Sequence, residues 1–223
     1  MKIKAAIFDM DGTIVNSLMF WESLWNRLGK EYMGDEAFVP CDEVNTKVRT
    51  MIFTDAMAYF KEYYKLPCDT DEFVRCAADG VKDFYRDVAR PKIGADALLA
   101  SLKEQGIKLC LASATTMPEI KFALAHYDLA KYFEVVLSCA ELGVGKDKPD
   151  IYLEAVRLMG ESPSDVCVFE DSYVALETAK KAGFQTVGIY DKYNLEQTRL
   201  KNASDIYLDA TKTLDCLIPL VRA

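Results

Sequence analysis

The chain has 223 residues, about half of them hydrophobic and about a quarter charged, with a formal net charge of −8. This composition suits a globular protein of one large or two small domains. The negative balance argues against nucleic acid or an anionic membrane surface as the main partner. A negative protein that handles a negative substrate then needs local positive charge at its site.

The first apolar run, in "MKIKAAIFDMDG", is too short for a signal peptide and meets acid at Asp9. No stretch approaches the ~18 apolar residues of a membrane span. The seven cysteines are scattered, without CxxC or zinc-type spacing. They read as free thiols in a reducing compartment, and the expectation is a cytoplasmic protein.

In chain order, residues 3–8 predict a buried strand that ends abruptly in Asp9 and Asp11. A helical stretch follows. Residues 17–29 place Trp21, Leu24, Trp25 and Leu28 on one face, and this stripe reads as packing. Residues 42–65 and 69–90 each predict one long helix, led by Asp or Thr. The next strand is expected only at 107–112, preceded by a helix over 94–106. Strands at 134–138, 166–170, 186–190 and 205–208 then alternate with helices over 149–160 and 171–183. The sole histidine, His126, falls in a helical pattern and is assigned a structural role.

Strand and helix in this rhythm predict a doubly wound α/β protein, a parallel sheet with helices on both faces. The first crossover is far longer than the dozen residues it needs. Residues 16–90 are therefore expected to form an inserted α-helical cap, leaving residues 1–15 and 91–223 as the α/β core.

Ligands of such sheets bind beyond the carboxyl ends of the strands. Four loops there carry chemistry: Asp9, Asp11 and Thr13; Ser113, Thr115 and Thr116; Lys146 and Lys148; Glu170 and Asp171. Carboxylates about 4 Å apart repel by roughly 4 kcal/mol at an effective dielectric near 20, so a hard divalent cation belongs among them. Magnesium suits a few carboxylates plus a phosphate oxygen. Ser113, backbone N–H groups and a lysine suit the phosphate.

At this point the sequence resembles a known family. "DMDGT", "LASAT", a lysine before "PDIYLEA", and "FEDS" are similar to the four motifs of the haloacid dehalogenase-like (HAD) hydrolases. The branch most resembled is the β-phosphoglucomutase and phosphoglycolate-phosphatase-like one, whose members carry a helical cap after the first strand. The resemblance implies a magnesium-dependent phosphatase acting on a small phosphorylated metabolite through an aspartyl phosphate.

It further implies Asp9 as nucleophile and Asp11 as general acid and base. Ser113, the Ala114 N–H and Lys146 would hold the phosphoryl group. The metal would sit on Asp9, the Asp11 carbonyl, Asp171 and Glu170. Two departures stand out. The lysine loop reads "KDKPD", and counting back from Pro149 and Asp150 selects Lys146 over Lys148. The arginine-bearing cap element of the sugar-phosphate mutases has no clear match in "EVNTKVRTM", although Lys47 and Arg49 could serve. A β-phosphoglucomutase-type mutase and a non-catalytic metabolite-binding module stay as alternatives. The sequence assigns neither the substrate nor an oligomeric state.

Overall fold

The computed structural model describes residues 1–49 and 51–223. Six strands form one parallel sheet: β1 Ala5–Phe8, β4 Lys108–Ser113, β5 Val135–Ser138, β6 Val166–Glu170, β7 Gln185–Ile189 and β8 Ile206–Leu208. Their order is β5-β4-β1-β6-β7-β8. The chain thus winds one way from β1 through β4 to β5, and the other way through β6 to β8. The reversal lies at β1, where such sheets bind ligands.

Alternate residues of the three central strands pack into two separate cores. Ala6, Phe8, Leu109, Leu111, Cys167 and Phe169 face one, beneath helices α6 Ala95–Glu104 and α7 Met117–His126. Ala5, Ile7, Cys110, Ala112, Val166 and Val168 face the other, beneath α9 Asp150–Met159 and α10 Tyr173–Lys181. A strand covered on both sides has no polar face, which is why these strands read as continuous apolar runs. The short helices α8 Cys139–Leu142 and α11 Gln197–Ala203 complete the α/β part.

The chain leaves this sheet through β2 Val15–Asn16 and returns through β3 Arg90–Pro91, which pair antiparallel. Between them lie five helices: α1 Met19–Met33, α2 Asp42–Val48, α3 Phe53–Tyr63, α4 Thr70–Ala78 and α5 Val81–Asp87. Helices α1–α4 enclose their own hydrophobic cluster around Trp25, Phe60 and Phe73. Helix α5, inside the stretch expected to be all cap, packs instead on the α/β core beside α7 through Val81, Phe84 and Tyr85, because its apolar face meets that core rather than the cluster.

The two long helices expected here are each broken. The predicted helix over 69–90 splits at Gly80, whose φ of 85° lies in the left-handed region that ends helices. The Arg27 guanidinium caps the break, donating to the carbonyls of Cys76 (2.7 Å), Ala77 (3.0 Å) and Asp79 (2.8 Å). The predicted helix over 42–65 splits between α2 and α3. Ile52 is extended there, α3 turns Ala56, Met57 and Phe60 into the cluster, and Arg49 is directed toward the α/β part. Position 50, inside this predicted helix, lies outside the described residues. Helix α1 instead runs past the expected stop at Gly29, because Tyr32 and Met33 still pack on the cluster.

Candidate active site

Register explains why the acids meet. Phe8 pairs with Phe169 of β6, and their rings stack with centroids 4.2 Å apart. The next residue on each strand is Asp9 and Glu170, so the ladder sets both carboxylates side by side at the carboxyl edge. The Asp9 N–H still bonds the Phe169 carbonyl at 3.0 Å. Four residues expected at this edge are buried: Asp9 (7% exposed), Lys146 (5%), Glu170 (1%) and Asp171 (4%).

The Lys146 ammonium lies between two of the acids. It donates to Asp9 Oδ1 and, at 2.6 Å, to Glu170 Oε1. Burial favours the neutral amine, but Asp9 and Glu170 outweigh it and hold the Lys146 pKa well above its ordinary value. Burial pushes the Asp9 carboxyl up; Lys146 pulls against it, while Glu170, Asp171 and Asp11 add to the rise. Glu170 also accepts from the Tyr152 hydroxyl (3.3 Å) and the Ser172 N–H (3.2 Å). Lys148, two residues on, is exposed and outside this network.

Carboxylate oxygens of Asp9, Glu170 and Asp171 lie within 4.8 Å of one another. A hard cation that prefers oxygen, such as magnesium, fits this all-carboxylate donor set. Asp171 accepts from Thr13 Oγ1 at 3.2 Å, and the Asn194 side-chain amide donates to both its carbonyl and its carboxylate. Burial, Glu170 and Asp191 push the Asp171 carboxyl up to about 7, against the pull of Lys92 and Asn194.

That shift sets a pH dependence of stability. Folded Asp171 keeps its proton up to about 7, whereas in the unfolded chain it loses it near 3.8. Between those values the unfolded state binds fewer protons, so the Asp171 contribution to stability falls as pH rises. In thermal melts, the metal-free protein is expected to lose Tm from pH 4 to pH 7 through this group. Saturating magnesium should restore Tm most at pH 7 and above, where the ion no longer competes with a proton. A magnesium effect equal at pH 5 and pH 8 would contradict this.

The Asp11 carboxylate lies outside the three-acid group and is fixed by hydroxyls. Ser17 and Tyr85 each donate to Oδ1 at 2.6 Å, and Thr115 donates to Oδ2 at 2.7 Å. Tyr85 comes from α5, far along the chain from Asp11 and packed on the α/β core. Ser113 is buried at the end of β4. Its oxygen accepts the Thr115 N–H at 3.1 Å, which leaves its own proton free to donate.

Gly12 connects Asp9 and Asp11 to the rest of the loop at φ 84°. A Cβ there would stand 2.6 Å from Asp171 Oδ2 and 2.8 Å from Leu18 Cδ1. Gly12→Ala is therefore expected to lower magnesium affinity at least about tenfold by displacing Asp171, on top of about 1 kcal/mol of backbone strain. Calorimetric titration with magnesium checks the affinity, and an unchanged value would show that Asp171 does not depend on this glycine.

These groups share a cavity of about 190 Å³ between the sheet edge and the helical insertion. Asp9, Asp11, Ser113, Ala114, Lys146, Glu170 and Asp171 all line it. Of the insertion residues singled out from sequence, Arg49 and Trp21 line it too, while Trp25 is buried in the insertion's core and Lys47 sits over the Tyr59 ring. His126 is exposed on α7 and stacks on Phe122. All seven cysteines are free.

Sequence reasoning missed Ser17, Tyr85, Asn194 and Glu119. Asn194 follows β7, so the strand-end rule could have found it. Tyr85 and Ser17 carry no local signal. Glu119 lines the cavity with Oε2 buried and without a hydrogen-bond partner among the described residues.

The family model of haloacid dehalogenase-like hydrolases matches residues 3–183. The chain belongs to this family. The phosphorylated carbohydrates phosphatase of Thermotoga maritima is 25% identical over 83% of this chain and 84% of its own. Hexitol phosphatase B of Escherichia coli K12 is 27% identical over 83% of each. The crystal structure of CbbY from Rhodobacter sphaeroides in complex with phosphate shares 22% identity at a TM-score of 0.79, covering 96% of both chains. This HAD hydrolase is thus an enzyme of the phosphoric monoester hydrolase type, and the shared fold extends over 96% of the chain. No helix among the described residues is long and apolar enough to cross a membrane.

Proposed function

We propose that this enzyme is a magnesium-dependent phosphatase that hydrolyses a small phosphorylated metabolite through an aspartyl phosphate on Asp9. The observation that carries this reading is Lys146, buried against Asp9 and Glu170 beside the three-acid group at the sheet's reversal point. The site then holds a nucleophile, a fixed positive charge and cation ligands within one cavity. Its known-protein relatives act, by name, on phosphorylated carbohydrates and a hexitol phosphate, and these suggest a small metabolite.

Asp9 attacks phosphorus and forms a new P–O bond as the ester P–O bond breaks. Asp11 gives the departing oxygen its proton, then takes one from the water that attacks the aspartyl phosphate. That second attack breaks the bond to Asp9 and releases inorganic phosphate. The Ser113 hydroxyl and the Ala114 N–H donate to phosphoryl oxygens, while Lys146 balances the charge that accumulates on them. Asp9, Glu170, Asp171 and the Asp11 carbonyl would hold magnesium. The ion supplies positive charge to the transferring phosphoryl group and removes the repulsion among the acids.

Residues 16–90 act in this reading as the cap that closes over the ester and excludes bulk water. Val15–Asn16 and Arg90–Pro91, where the chain leaves and returns as one narrow pair, are its hinge. The test is phosphate release from a panel of phosphorylated metabolites with and without magnesium, with sugar phosphates also assayed for isomerisation. Magnesium-dependent release supports the phosphatase. Isomerisation without release would assign a phosphosugar mutase instead, and absence of any turnover would favour a metabolite-binding module.

A further inference from the structure

The part of the cavity facing the carboxylates is walled by aromatic rings. Phe20 and Trp21 of α1, Phe53 of α3 and Phe84 of α5 line it together. They form one contiguous surface, with ring centroids 5.2 Å apart for Phe20–Phe84, 6.3 Å for Trp21–Phe53 and 6.5 Å for Phe20–Phe53. Each ring has one side on a core, Phe20, Trp21 and Phe53 on the insertion's cluster and Phe84 on the α/β core, whereas Trp25, Phe60 and Phe73 are fully buried. The four wall rings stay only half-buried and line the cavity.

Polar partners on this wall are few. Among the insertion's described lining residues, Thr46, Arg49 and the indole N–H of Trp21 are the polar groups beyond Ser17 and Tyr85, which are taken by Asp11. Arg49 already donates from Nε to Asn45 (3.1 Å) and from a terminal nitrogen to the Tyr193 carbonyl (3.0 Å). On the α/β side, the side chains of Ser172, Tyr173, Asn194 and Glu196 are engaged within the protein, which leaves, among the described residues, the Thr116 hydroxyl and the buried, unpartnered Glu119 Oε2 to meet an N–H or O–H substituent. A polyol entering here would lose its water with few replacements, at about fivefold or more in binding for each unmatched hydroxyl. A flat ring loses little hydration and gains stacking.

Resting on the phosphatase reading above, we propose that the preferred ester carries a planar aromatic ring on its leaving group, stacked against Trp21 and its neighbouring rings. This sets the enzyme apart from a phosphatase of sugar or polyol phosphates.

The experiment compares kcat/KM for benzyl phosphate, ethyl phosphate and sorbitol 6-phosphate at saturating magnesium. All three leave as primary alcohols of similar acidity, so the chemical step does not itself favour the ring. Benzyl phosphate is expected to exceed both others at least about tenfold. In Trp21→Leu and Phe84→Leu proteins, which keep an apolar side chain but lose the ring, the benzyl-to-ethyl ratio should fall by about that factor. Circular dichroism confirms that the variants are folded. A preference for sorbitol 6-phosphate, or a ratio unmoved in both folded variants, overturns the aromatic assignment while leaving the phosphatase standing. No magnesium-dependent release from any of the three, nor from p-nitrophenyl phosphate, overturns the phosphatase reading and this inference with it.

Discussion

Asp9→Asn protein is expected to release phosphate at least about 10⁴-fold more slowly than wild type, because losing a nucleophile costs far more than losing a supporting group. The substitution keeps the shape of the side chain and an oxygen that can accept from Lys146. It removes the charge that attacks phosphorus. The comparison is kcat by phosphate release at saturating magnesium, with Tm read alongside. A Tm within a few degrees of wild type assigns the loss to chemistry rather than folding. Residual activity within tenfold of wild type would move the nucleophile elsewhere, and with it the whole assignment of this edge.

Lys146→Met carries the second large effect, and it falls on stability as well as rate. Lys146 is the only positive group in direct contact with Asp9 and Glu170 among the described residues, and all three are buried. Removing one partner of such a set leaves charge buried without compensation, which costs about 3–5 kcal/mol. In metal-free buffer the unfolding free energy from urea titration should fall by that amount, lowering the midpoint at an unchanged m-value. Saturating magnesium should recover part of the loss, because the ion supplies positive charge at the same acids. Activity should not recover with it, since the charge beside the transferring phosphoryl group is still missing. Full stability of Lys146→Met without metal would mean that the acids take up protons at little cost. A Lys148→Met protein is expected to match wild type in both measurements, since Lys148 is exposed and outside the network.

The two effects differ in kind. Asp9 bears the reaction, and its replacement tests a single bond-forming step. Lys146 also holds the like-charged edge together before any substrate arrives, so its loss is visible in an unfolding curve with no substrate present.

Sequence alone determined the sheet and the identity of its edge residues. Six apolar runs predicted six strands, and all six pair in parallel in the structure. That reading is local, because a strand covered on both faces leaves an unbroken apolar signature in the chain itself. The acids could be placed because ligands of such sheets bind beyond the strand ends, while the choice of Lys146 over Lys148 came from the resemblance to the HAD motifs. Their order along the chain, Asp9, Ser113, Lys146, Glu170, already implied one rim. What the chain did not carry was anything set by contact between distant segments. Gly80 and the turn after Val48 break helices whose apolar pattern runs on, because Arg27 and the insertion's core reward the break from far away in sequence. Tyr85 reaches Asp11 across 74 positions, and Asn194 reaches Asp171 across 23. The aromatic wall is likewise drawn from three helices, each of which alone reads as ordinary packing. Periodicity reports which face of a segment is apolar. Only the packed molecule decides whether that face meets the core or is left open to a ligand.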